Sequence, residues 1–196
     1  MNTDGQKTYT SFHGLTKIVS GPLREMLCRT KEVVDRSPSD PVLIFEDWSG
    51  QQVDFNFRGT IEEVCGRAEP SPAPTSGARG RPRLGVTSRE VSLLPRHWEW
   101  LESQPNGASS ALRRLVEEAS KRNAAPEKAR HAAEAAGRFM WAMAGNLPGF
   151  EEASRALYAR DGGRFELLTR GWPQDIREHV IGLASPCFAE EPPRHS

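Results

Sequence analysis

Arg79-Gly80-Arg81-Pro82-Arg83 sits inside the stretch SGARGRPRLG, and these residue types suit one kind of chemistry. The glycine lets the backbone approach the floor of a narrow groove, and the proline keeps the chain extended. Two guanidinium groups can then lie along the minor groove of DNA, where A·T tracts are narrow and strongly negative, while Arg83 reaches a phosphate. The same residues also suit a solvated cationic linker, because an Arg-, Pro- and Gly-rich chain spells so short a pattern easily.

A second set of polar side chains follows. TSREVSLL (87–94) reads as a short strand. With Val91 and Leu93 toward a core, Ser88, Glu90 and Ser92 face outward, where serine can contact bases and glutamate can accept from cytosine N4. The opposite register presents Arg89, Val91 and Leu93 instead, since one residue of slip exchanges the faces. PRHWEWLESQ (95–104) reads as a helix opened by Pro95, Pro105-Asn106-Gly107 as a turn, and ASSALRRLVEEASKR (108–122) as an amphipathic helix. Ser109 or Ser110 is its expected N-cap, and the free N–H groups at Gly107–Ser110 could meet a phosphate. Trp98 and Trp100 cannot share one narrow helix face, so one is expected in the core and the other at a dimer interface.

Charge is uneven along a chain whose net charge is zero. Residues 1–70 hold 8 Lys/Arg against 11 Asp/Glu, residues 71–122 hold 9 against 5, and residues 123–196 hold 9 against 10. A neutral total excludes a protein that coats nucleic acid by bulk charge and leaves the middle of the chain as the basic region.

Catalytic signatures are missing. No P-loop, G-x-G-x-x-G, H-E-x-x-H or G-x-S-x-G pattern occurs, so no enzyme activity and no cofactor are expected. His13, His97, His131, His179 and His195 show no metal-ligand spacing, and Cys28, Cys65 and Cys187 form no C-x-x-C pair, so no metal is expected either. His179, next to Glu178, reads as a helix-surface residue. A Cys–His pair of Cys28 or Cys65 with His13 rests only on co-occurrence in one segment, and a buried structural cysteine is the competing reading. Glu62-Glu63 and Glu151-Glu152 read as first-turn acids that favour the helix dipole. No apolar run is long enough to span a bilayer, and no secretory leader pattern occurs. Together with the scattered thiols, this makes a cytoplasmic protein with no membrane partner the expectation.

These residues need elements to hold them, and the expected fold class is α+β. Residues 1–68 read as a small β-β-α-β-β-α module: TYTSFHG and TKIVSG as a hairpin, a helix after Pro22, PVLIFED and QQVDFNFRG as strands, and IEEVCGRA as a helix capped by Thr60 and Glu63. Such a module lies near the lower size limit for independent folding. Residues 69–85, dense in Pro, Gly, Ser and Arg, read as a flexible linker. Residues 86–122 make the strand–helix–helix segment. Residues 123–184 read as a C-terminal helical bundle whose first helix opens at Pro126, and 185–196 as a disordered tail.

The segment REVSLLPRHWEWLESQPNGASSALRRLVEEAS resembles a ribbon-helix-helix repressor. That class is dimeric, each chain giving one strand to a two-stranded ribbon in the major groove, so the resemblance implies DNA as partner and a homodimer. A basic minor-groove arm just before the ribbon would add A·T preference, in the plan that homeodomains use. Separately, LPRHWEWL, GASSALRRLVEEA, LPGFEEASRALYA and GWPQDIREH are similar to an uncharacterised bacterial domain-of-unknown-function family, DUF2239, over about Tyr9 to Leu183. That resemblance implies a bacterial source and no catalytic residues. The expected function is a dimeric DNA-binding transcriptional regulator, with a non-catalytic interaction or scaffold protein as the alternative and an enzyme with an unrecognised site third.

Overall fold

The computed structural model describes residues 7–37, 41–68 and 90–189. The chain divides into two compact units, residues 1–70 with 125–196, and residues 71–124.

In the first unit, β1 (Thr8–His13) and β2 (Thr16–Pro22) form the expected hairpin. Helix α1 (Leu23–Arg36), strands β3 (Val42–Glu46) and β4 (Gln51–Val53), and helix α2 (Ile61–Ala68) follow. The four strands make one antiparallel sheet in the order β2-β1-β3-β4. Strand alternation decides what each face carries. On one face Ile44 joins Met26 and Leu27 of α1 and Val64 and Cys65 of α2, with Tyr9 and Val53 packed against them. The buried Thr30 hydroxyl of α1 donates to Ser11 Oγ at 2.7 Å across the same contact.

On the other face Phe12 and Phe45 are fully buried, beside the partly buried Leu43, against residues from the last third of the chain. Val42 to Phe45 are therefore apolar without alternation because both faces of β3 are covered. The β-β-α-β-β-α segment and the C-terminal helices share this core. Two helices on one face cannot bury three large apolar side chains on the other.

Those helices are the end of α4 (Gly107–Ala144), α5 (Phe150–Tyr158), α6 (Gly162–Leu168) and α7 (Gln174–Phe188). Phe139 is the hub, with ring centroids 5.4 Å from Phe12, 5.0 Å from Phe45 and 4.5 Å from His179. Asp161 caps α6 by accepting from the Arg164 N–H at 2.9 Å, and the Trp172 indole donates to the Pro148 carbonyl at 2.9 Å. The α2 capping box forms as its sequence implies. The Thr60 N–H donates to the Glu63 carboxylate at 2.8 Å, and the Glu63 N–H donates to Thr60 Oγ1 at 3.3 Å. Thr60→Ala is expected to lower stability by about 1 kcal/mol in urea denaturation, the usual effect of losing an N-cap. An unchanged midpoint would show that α2 is held by Val64 and Cys65 alone.

Several expectations need correction. Helix α4 does not restart at Pro126 but runs through it. A proline inside a helix costs about 3 kcal/mol, but the flanking Ala, Glu, Lys and Arg residues are strong helix formers, and the carbonyl it leaves unbonded belongs to the exposed Arg122. The expected tail begins too early. Residues 185–188 belong to α7, Cys187 is buried, and Phe188 packs 5.4 Å from Phe165, while residues 190–196 lie outside the described residues. Neither Ser109 nor Ser110 is an N-cap. Asn106 (φ 70°) and Gly107 (φ 76°) both adopt the left-handed conformation, and the helix starts at Gly107, placing the serines in its first turn. Lastly, residues 90–94 carry no strand. A strand is defined by its ladder, and among the described residues this segment has no partner to form one.

Among its described residues the second unit has few buried side chains. Helix α3 (Pro95–Glu102) buries Leu101, and the start of α4 buries Ala111. Neither tryptophan of α3 is in the core: Trp98 is 36% and Trp100 48% exposed. Leu101, one residue further on, takes the inward position expected of one of them.

Candidate functional site

Of the residues read as DNA contacts, Arg79, Gly80, Arg81, Pro82, Arg83 and Ser88 lie outside the described residues. Glu90 and Ser92 are exposed in the segment leading into α3. Ser109 is exposed and Ser110 half-buried at the start of α4. Around them the second unit leaves Val91, Leu94, Trp98, Trp100, Leu115 and Val116 exposed, the last at 62%. These are six large apolar side chains exposed within 26 residues of sequence, more than the scattered ones a surface ordinarily carries. Charge on this part is balanced, with 5 Lys/Arg and 5 Asp/Glu over residues 90–124. The basic excess of the middle region therefore lies in residues 71–89, which hold 4 Arg and no acid.

A second candidate lies wholly in the first unit and has no counterpart in any sequence motif. A cleft of about 450 Å³ is walled by the start of β1, the turn after β3, the 128–135 face of α4 and the end of α7. The turn is held firmly in place. The Gly50 N–H donates to the Glu46 carbonyl at 2.8 Å, and Ser49 Oγ donates to Glu46 Oε2 at 2.5 Å. The Arg138 guanidinium of α4 donates to the Ser49 carbonyl at 2.7 Å. At the cleft, Trp48 stacks on His131 with ring centroids 4.1 Å apart and planes 24° from parallel, yet stays 58% exposed. Lys7 pairs with Glu46 at 2.7 Å. That hydrogen bond, with the one from Ser49, holds the Glu46 carboxyl below the usual carboxylate range and raises the Lys7 ammonium.

Asp47 joins this cleft to the core. Its N–H donates to the Thr8 carbonyl at 3.0 Å, and its Oδ1 accepts from Thr10 Oγ1 at 2.7 Å. Ser20 Oγ lies 2.8 Å from the same threonine hydroxyl, completing a short polar chain from β2 to the carboxylate. Oδ1 also faces His179 Nε2 at 3.9 Å, too far for a direct hydrogen bond. The His179 side chain is 10% exposed, and its Nε2 has no hydrogen-bond partner. Burial drives its pKa from 6.5 down to about 4, with the Lys17 charge acting in the same sense and Asp47 against it. The imidazole is thus neutral at pH 7, and its approach to Asp47 is not a salt bridge.

His179 is therefore not a helix-surface residue. It shares the face of α7 that buries Ile176, Val180, Ala184 and Cys187, a helical spacing legible in the chain. Cys187 is buried with its thiol pushed up by desolvation, which makes it a poor nucleophile. Among the described residues no cluster of three His, Cys, Asp or Glu could hold a metal ion, and no helix is long and apolar enough to cross a membrane.

Residues 8–184 match the model of a family described as an uncharacterized protein conserved in bacteria (DUF2239), and the chain belongs to that family. No curated protein and no solved structure matches it.

Proposed function

We propose that this DUF2239 protein is a dimeric DNA-binding protein of the bacterial cytoplasm, acting as a transcriptional regulator through residues 79–122. The observation that carries this reading is the uncovered apolar surface of the second unit, Val91 and Leu94 before α3, Trp98 and Trp100 on it, and Leu115 and Val116 on α4. A second copy suits this surface. Residues 90–93 exchange no backbone hydrogen bond with any other described segment. Two antiparallel copies would satisfy each other. Pairing would also bring two arginine arms onto one duplex, so each helps retain the other.

A second reading, an interaction unit without nucleic acid, is favoured by the balanced charge of residues 90–124. Fluorescence anisotropy on A·T-rich and G·C-rich duplexes across salt separates the two. The expected result is an A·T preference, an affinity that falls steeply with salt, and a loss of tenfold or more in the Arg79→Ala/Arg81→Ala double variant. No binding at low salt sinks the DNA reading. A double variant that keeps its A·T preference removes the arm from it, and a monomer in sedimentation at micromolar concentration removes the ribbon.

A further inference from the structure

The Trp48 indole is packed by a stacked ring on one side and otherwise largely exposed. It is 58% exposed, yet it sits on a turn fixed by three hydrogen bonds and by the close approach of Gly50 to α4. One face of the ring is used by His131. The ring also lines the cleft, and its exposed part is a flat apolar surface of the kind on which planar groups stack.

Polar groups converge on the same space with distinct roles. Lys128 lines the cleft and forms no ion pair among the described residues, whereas Lys7 is neutralised by Glu46. On the far wall, Gly182 and Pro186 stand one helical turn apart in α7. Proline has no N–H, so the Gly182 carbonyl lacks its normal intrahelical donor and remains an acceptor beside the cleft. Asp47 spends Oδ1 on Thr10, and its Oδ2 has no hydrogen bond among the described residues. The cleft therefore offers a stacking plane, one unpaired cation and two acceptors within a volume that small ligands commonly fill.

We propose that this cleft binds a nucleoside monophosphate or a closely similar planar heteroaromatic anion. The ring stacks on Trp48, the anionic arm pairs with Lys128, and ring or sugar donors reach Asp47 and the Gly182 carbonyl. This site is independent of the DNA-binding reading, since every residue it uses lies in the first unit.

Calorimetric titration of the full chain with AMP, adenosine and inorganic phosphate tests it. AMP is expected to bind, with adenosine and phosphate each at least tenfold weaker. Trp48→Ala is expected to weaken AMP tenfold or more, about 1.4 kcal/mol, the order of one aromatic–base stack. Trp141→Ala is the control, because Trp141 is also exposed (77%), lies ten residues beyond His131 on α4, about 15 Å along the helix, and does not line the cleft; it is expected to leave AMP binding unchanged. Lys128→Ala is expected to weaken AMP and spare adenosine. Both cleft variants change exposed side chains, and circular dichroism confirms their fold. No heat with millimolar AMP, wild-type affinity in Trp48→Ala, or an equal loss for adenosine and AMP in Lys128→Ala would each overturn the proposal.

Discussion

Gly50→Ala is expected to destabilise the protein by about 3–5 kcal/mol, and two separate effects contribute. The residue has φ +64°, the left-handed region, which costs an alanine about 1–2 kcal/mol. A Cβ placed there would also stand 2.0 Å from the Ala135 carbonyl oxygen and 2.8 Å from its Cα. These are backbone atoms in the middle of a helix, so no side chain can swing aside. Relief requires the turn to lift off α4, which gives up the Arg138 bond to Ser49 and uncovers Gly50 itself, now buried. For a chain of this length the change corresponds to a fall in melting temperature of roughly 10 °C. Gly14→Ala is the matched comparison, since Gly14 has φ +58° but open space around it. It carries the conformational cost without the collision, so a Gly50→Ala loss no larger than that of Gly14→Ala would refute the close-approach argument.

His179 is expected to make the fold acid-sensitive over an unusual range. Its folded pKa of about 4 lies below the unfolded value of 6.5. Above pH 6.5 the imidazole is neutral in both states and its burial carries no protonation cost. As pH falls below 6.5 the unfolded chain takes up a proton that the folded chain refuses, and stability is lost until about pH 4. At 1.36 kcal/mol for each pH unit the total is about 3 kcal/mol. The groups that face the ring are Asp47 from the turn after β3, Lys17 from β2, and the rings of Phe12 and Phe139. Of these only Asp47 favours the charged form. His179→Leu keeps the volume and removes the unpartnered nitrogen, so its urea midpoint should change far less between pH 6.5 and 4.5. Carboxylates such as Glu46 account for losses at lower pH. A native imidazole resonance that titrates near pH 6.5 would show that the ring is solvated and end this account.

Both residues show what a single chain makes legible and what it withholds. Local rules worked where the physics is local: the hairpin, α1, and the Thr60–Glu63 box follow from side chains a few residues apart. VLIFE was readable as a strand, yet nothing near it says that Phe45 meets Phe139 from a helix far along the chain. His179 could have been placed in the core by its spacing from Ile176 and Val180. Reading it by its neighbour Glu178 instead put it on the surface. The cleft had no local trace at all, because Trp48, His131 and Gly182 belong to three distant segments that only the packed fold assembles. Residues 90–94 show the opposite difficulty. Their alternation fits a strand, but a ladder needs a second strand, and the chain supplies none among its described residues.

The pairing of β2 with α7 also sets the order in which the protein can be made. The Lys17 N–H donates to Asp175 at 2.7 Å across 158 residues of chain, and Phe12 packs 5.4 Å from His179. During synthesis at about 5–20 residues per second, roughly 8–30 s therefore separates β2 from α7, the helix that completes the cover over Phe12. Within that interval β3, β4 and the whole of residues 71–124 are produced, and Phe139 of α4 is made before His179 of α7. Strands β1 and β2 are thus closed by a helix synthesised about 150 residues after them.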